Sequence, residues 1–172
     1  MRGVALQPLG DVDRRALPRL ALDLATTFGQ PCRVLAAQPM PQGAFDQDRG
    51  QYLAAAVLDC LRRGRPAQSA RVLALVDVDL YAEGLNFVFG QAEMPGRVAV
   101  VSLYRLKAGG REDVEAMYLR TLKESVHELG HTFGLAHCRN DECVMRFSNS
   151  LADTDYKSVH FCSSCRVALR RF

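Results

Sequence analysis

The run His127-Glu128-Leu129-Gly130-His131-Thr132-Phe133-Gly134-Leu135-Ala136-His137-Cys138 constrains this chain more than any other stretch. Two histidines four residues apart on a helix share one face, about one turn apart, so both imidazoles can reach a single ion. Glu128 is rotated from His127 by about 100°, where its carboxylate can reach a water on that ion without becoming a ligand. Gly134 can take a positive φ and end the helix in a left-handed cap. The chain then bends back and brings in His137 as a third imidazole. Three protein ligands plus water is the arrangement of a catalytic zinc, whereas structural zinc is usually closed by four. Three of the chain's four histidines fall within these eleven residues at HExxHxxGxxH spacing, which sets aside unrelated histidines on a polar helix face.

The cysteines extend the pattern. Cys138 and Cys143 enclose four residues, Met145 follows two after Cys143, and Cys162-Ser163-Ser164-Cys165 comes next, with 18 residues between Cys143 and Cys162. C-x4-C…C-x2-C is metal-binding spacing rather than a disulfide framework, and Met1 to Gly10 lacks the apolar core of a secretory signal. Cys32 and Cys60 stand apart and are expected to be buried thiols. The 38 residues after Gly134 carry few apolar runs and cannot bury enough surface to hold themselves in place. A zinc on four thiolates would contribute that folding free energy directly. Because Cys138 adjoins His137 and Cys143 lies two before Met145, such a zinc would clamp the loop that delivers the third histidine.

The combination HExxHxxGxxHCx4CxM…CxxC resembles the archaemetzincin branch of the metzincin metallopeptidases. The resemblance is densest over residues 127–165, extends to Gly84–Ala92 and Arg97–Arg105, and covers nearly the whole chain. It implies an α+β, metzincin-type (zincin-like) fold: a mixed twisted sheet packed on helices, a long active-site helix and a small zinc-clamped C-terminal subdomain. The expected division of the single domain is 1–134 with the sheet and active-site helix, then 135–172. The resemblance implies two zinc ions, a catalytic one on His127, His131 and His137 and a structural one on Cys138, Cys143, Cys162 and Cys165. Met145 matches the Met-turn methionine beneath the catalytic metal, Gly134 shapes the turn, and Glu128 matches the general base.

The implied activity is hydrolysis of peptide bonds by zinc-activated water, on a peptide or protein substrate. Some metzincins carry a tyrosine two residues after the Met-turn methionine. Here Phe147 stands there, with Tyr156 and Lys157 as the nearest candidates in sequence for stabilising an oxyanion. Metzincins pair an edge strand with extended substrate, and Val98–Leu106, just before the active-site helix, is the expected edge. A chain that starts almost at its first strand shows no inhibitory segment, which favours a narrow cleft and short peptides, in the manner of an aminopeptidase. The competing reading is a zinc-binding protein of this fold with very narrow or no proteolytic activity, and the intact Glu128 weighs against it.

Composition narrows the remaining classes. No apolar run approaches the roughly 18 residues that cross a bilayer, so membrane insertion is not expected. A formal charge of +3, 8% aromatics and no tryptophan give no basic, aromatic face for nucleic acid. A cytoplasmic monomer is the expectation.

Along the chain, Val4–Leu9 reads as a strand, followed by a helix starting near Arg15 because Pro18 belongs in a first turn, and stopped by Gly29. Cys32–Gln38 reads as a second strand. Gln51–Arg63 reads as a helix, with Asp46 and Asp48 as its capping and first-turn acids. Arg71–Val78 is the clearest buried strand, ending in turn acids Asp77 and Asp79, and Gly84–Phe89 is a short β-like piece. Gly109-Gly110 is a turn before the long helix. That helix has Glu112 and Asp113 in its first turn and Val114, Tyr118, Leu122, Val126 and Leu129 facing the sheet.

Overall fold

Val72, Leu73, Ala74, Leu75 and Val76 are each at most 1% exposed, and a strand apolar on both sides needs cover on both faces. The computed structural model, which describes residues 3–64, 69–107 and 113–170, supplies that cover. The strand is part of β5 (Ser69–Val76). Leu73 and Leu75 pack into a core shared with α1 (Leu17–Phe28) and α3 (Val114–Thr132). Val72, Ala74 and Val76 pack into a second core with α2 (Ala54–Gly64). The period-2 alternation of one strand thus builds a helix–sheet–helix sandwich.

The sheet also contains β1 (Gly3–Leu9), β2 (Cys32–Val34), β7 (Gly90–Ala92) and β8 (Val98–Ser102), in the order β2-β1-β5-β8-β7. The first four run parallel, and β7 returns antiparallel along β8. A second, three-stranded sheet joins β3 (Phe45–Asp46), β4 (Gln51–Leu53) and β6 (Leu80–Tyr81) in the order β3-β4-β6. Beyond α3 the chain adds α4 (Leu151–Tyr156) and α5 (Ser163–Leu169). The mixed sheet on helices with one long helix is the architecture the sequence implies. No helix among the described residues is long and apolar enough to cross a membrane.

The expected edge strand is corrected. Val98–Ser102 is buried at all five positions and lies between β5 and β7, so the edge on that side is Gly90–Ala92. Position before the helix misled because β7 folds back antiparallel outside β8. The run Val98-Ala99-Val100-Val101 was itself the sign of a central strand, apolar on both faces.

Other boundaries move for similar reasons. Helix α2 starts at Ala54 rather than Gln51, because Gln51–Leu53 is held by pairing to β3 and β6. Asp46 caps a turn instead of that helix: its Oδ1 accepts the N–H groups of Asp48 and Arg49 at 3.0 and 3.1 Å. Strand β2 is three residues long, with Gln38 bridged separately to Leu9, and within Gly84–Phe89 only Val88 bridges, to Leu80. Asp77 and Asp79 are held by Lys107 and Arg105. Val114 does not join the buried stripe, being 80% exposed, and Cys60 is exposed while Cys32 is half-buried. Gly109-Gly110 and Glu112 lie outside the described residues.

Candidate metal centre

Helix α3 begins at Asp113, whose extended backbone lets its side chain accept from the N–H groups of Glu115 and Ala116. It ends in a Schellman turn: Gly134 sits at φ 83°, its N–H reaching His131 O at 2.8 Å and that of Leu135 reaching Gly130 O at 3.2 Å. The 19 residues between form a rod of about 28 Å. Its buried stripe of Tyr118, Leu122, Val126 and Leu129 fixes the rotation of the rod and hence the direction of His127 and His131.

Two backbone carbonyls then orient the imidazoles. His127 Nδ1 donates to Val144 O at 2.8 Å and His131 Nδ1 donates to Leu135 O at 2.7 Å. With Nδ1 carrying the proton, each Nε2 presents a lone pair, and the two Nε2 atoms face each other at 3.1 Å. Two bare acceptors at that distance repel unless something positive lies between them. A tetrahedral zinc with bonds of about 2.0–2.1 Å has nitrogen–nitrogen edges of about 3.3 Å, which this spacing fits. His137 brings a ring nitrogen within 4.8 Å of both. Burial, reinforced by the nearby charge of Lys157, holds His127 well below the ordinary imidazole range, and burial lowers His131 and His137 as well. All three are therefore held towards the neutral form, the one in which an imidazole can take a metal.

Glu128 lines the same cleft as the three histidines and is 5% exposed. Burial first, and then the neighbouring Glu124, raise its carboxyl well above the usual range, against the pull of Lys157. Gly90 of β7 faces it closely enough that no larger residue would leave it room. Met145 is fully buried under the helix, and a β-carbon on Gly130 would stand 2.5 Å from its Sδ.

The four cysteines predicted from spacing come together as a second group, with sulfur atoms within 4.8 Å of one another. Cys138 Sγ and Cys162 Sγ are 3.8 Å apart, the edge of a tetrahedron with metal–sulfur bonds of about 2.3 Å. The backbone N–H of Cys165 is the main cause that lowers the Cys162 thiol to about 7, while burial raises Cys143 and Cys165. Backbone bonds connect the two groups: Cys138 N–H donates to Met145 O at 2.9 Å, and Val144, which orients His127, donates its own N–H to His160 O at 3.0 Å. His160 itself is exposed.

Of the residues named for the oxyanion, neither reaches the cleft. Tyr156 is 66% exposed, and Lys157 is buried behind Glu124, paired to it at 2.9 Å. Phe147 lines the cleft with its ring 4.9 Å from that of His137. Sequence reasoning missed Glu124 and Gly90. Glu124 lies four residues before Glu128, on the same helix face, and that offset was the available signal. Nothing local marked Gly90.

The chain is similar to known proteins over most of its length. The family model for peptidase family M54 matches residues 24–171. The archaemetzincin of Methanopyrus kandleri is 54% identical over 132 residues, spanning 77% of this chain and 73% of its own. The crystal structure of archaemetzincin from that organism matches with a TM-score of 0.88 at 43% identity, covering 99% of this chain and 94% of the other. A zinc-dependent peptidase from Methanocorpusculum labreanum matches with a TM-score of 0.89 at 31% identity, covering 97% of this chain and all, 100%, of its own.

Proposed function

The chain belongs to peptidase family M54, the archaemetzincins, and from that premise we propose that its cleft hydrolyses peptide bonds with Glu128 as general base. As a member it is a zinc metalloprotease, and a peptide is its substrate. The finer reading assigns the catalytic zinc to His127, His131 and His137, and a second, structural zinc to Cys138, Cys143, Cys162 and Cys165. The observation that carries it is the pair of Nε2 lone pairs facing each other at 3.1 Å, beside a buried carboxylate in an open cleft.

His127, His131 and His137 would hold a zinc, which would supply Lewis acidity to a peptide carbonyl and lower the pKa of a water towards about 7. The protein's share begins with orientation. Val144 O and Leu135 O lock the tautomers of His127 and His131, so that each Nε2 would be the atom that holds the ion. Glu128, raised in proton affinity by burial, accepts the proton of the attacking water and passes it to the leaving amine. The free edge of β7 lines the cleft, where main-chain pairing aligns an extended substrate. Met145 supports the helix floor beneath Gly130.

Glu128→Gln tests the assignment. The variant is expected to keep the wild-type zinc content and thermal unfolding while losing hydrolysis of a peptide library by about a thousandfold or more. Retained cleavage would remove Glu128 from the role of base.

A further inference from the structure

Every residue from Leu85 to Ala92 lines the cleft that holds Glu128 and the three histidines. The last three are β7, fixed by pairing with β8. Residues 85–89 precede that strand and need other support. Val88 N–H donates to Leu80 O at 2.9 Å, and Phe89 O accepts from Ser102 N–H at 2.8 Å. Asn86, ahead of both, lines the cleft and also a second cavity, of about 550 Å³.

Gln51 of β4, 8% exposed, meets Asn86 in the lining of that second cavity. Its Nε2 donates to Asn86 O at 2.9 Å and to Asp79 Oδ2 at 3.0 Å, while its Oε1 accepts from Arg49 Nε at 3.0 Å. A flipped amide would set N–H groups against a guanidinium that cannot accept, and an oxygen against two acceptors. The partners therefore dictate its orientation. Asp79 follows the central strand β5 and is gripped by Arg105 in a bidentate pair at 2.6 and 2.7 Å. The Arg105 guanidinium in turn lies 4.3 Å from the centre of the Phe87 ring. Arg49 Nη2 adds longer bonds to Leu85 O and Asn86 O, at 3.2 and 3.3 Å.

The ion pair at the end of the central strand thus holds the cleft wall at two successive residues, Asn86 through the Gln51 amide and Phe87 through Arg105. The metal centre has separate supports. His127 and His131 are oriented by Val144 O and Leu135 O, and Gly90, which faces Glu128, is paired with Val101. A wall displaced by about an ångström would lose contacts along a bound peptide without moving these groups. We propose that Gln51 is a positioning residue: it fixes residues 85–89 against the substrate and so sets how tightly a peptide binds, while the chemical step stays with the metal centre. The inference rests on the peptidase reading above.

The test is steady-state hydrolysis, by zinc-loaded protein, of the library peptide that the wild type cleaves best. Gln51→Met, which keeps the bulk and removes the donors, is expected to raise KM about tenfold with kcat within about twofold. Arg49→Met, at an exposed position, is expected to raise KM about threefold with an unchanged unfolding midpoint. Inhibition by acetohydroxamate, too small to reach the wall, should be the same in all three proteins, as should zinc content. Calorimetry of the intact peptide on Glu128→Gln and on Glu128→Gln/Gln51→Met should show the same tenfold weakening as KM. A merely structural role would lower the unfolding midpoint and the active fraction and leave KM alone. Wild-type KM in both Gln51→Met and Arg49→Met, or a fall confined to kcat, overturns the assignment and leaves the peptidase reading intact. If Gln51→Met does not fold, KM of Arg49→Met decides. A wild type that cleaves no peptide overturns both readings.

Discussion

Glu128 fills space that Gly90 leaves open: a β-carbon built on Gly90 would stand 2.7 Å from Glu128 Cγ and 2.8 Å from its Oε1. The edge strand and the active-site helix therefore meet at a carboxylate and a missing side chain. The same methyl would also stand 2.7 Å from Val100 O in the neighbouring strand. Gly90→Ala is expected to push the carboxylate out of position and to strain the β7–β8 pairing, at a cost of about 1–3 kcal/mol in stability. Peptide hydrolysis should fall at least tenfold while zinc content stays at the wild-type value, because no histidine moves. Wild-type turnover in Gly90→Ala would show that the carboxylate has slack the distances do not suggest.

The cysteine group makes a separate prediction. Replacing Cys162 and Cys165 together by Ser should remove one zinc per chain and lower the unfolding midpoint, since structural zinc contributes folding free energy directly. Hydrolysis should weaken too, because the bond from Cys138 N–H to Met145 O ties this loop to the floor of the cleft. Elemental analysis beside thermal unfolding reads both effects. Full metal content in the double variant would contradict the assignment.

The Lys157–Glu124 pair predicts an asymmetry between single and double variants. With side chains 0% and 4% exposed, neither charge has water to fall back on. Lys157→Met alone strands Glu124 and should cost about 3–5 kcal/mol, whereas the double variant with Glu124→Gln should recover most of that. Denaturant titration of the wild type, Lys157→Met, Glu124→Gln and the double variant closes the cycle. Losses that simply add would mean that the pair contributes no coupling.

Burial pushes the Cys32 thiol up from 9.0 to about 11. Its folded value lies above its unfolded one, so the stability tied to this thiol is complete below about pH 9 and drains away as pH rises towards 11. At pH 8 only about one Cys32 in a thousand is thiolate. Iodoacetamide at that pH should modify exposed Cys60 first and leave Cys32 untouched in the zinc-loaded protein, as mass spectrometry of the peptides would show. Early labelling of Cys32 would mean that its environment opens.

Much of the candidate site was legible because it is local. His127, His131, Gly134 and His137 obey helix and cap geometry within eleven residues, and C-x4-C with C-x2-C has few other uses. The long helix and the central strand β5 were visible for the same reason, each carrying its own periodicity. What stayed hidden depends on partners distant in sequence. The apolar run Val98-Ala99-Val100-Val101 marked a central strand, but that β7 is what lies outside it was not visible. Gln51–Leu53 lost its helix to pairing with Leu80 and Tyr81. Glu124 looked like any polar residue on a helix until Thr154 and Lys157, about thirty positions on, closed around it. Gly90 is one of 13 glycines, and only the carboxylate packed against it sets it apart.

Val144 is held through both of its backbone groups, its carbonyl by His127 and its N–H by His160 O, in the segment that runs between Cys143 and Met145. A cation on the thiolates and a cation on the imidazoles would each favour the same placement of this one residue. Their affinities are then thermodynamically linked, and linkage is reciprocal: whatever factor the first ion adds to the binding of the second, the second returns to the first. Chelator titration of such a protein would follow a cooperative curve, with loss of either ion loosening the hold on the other.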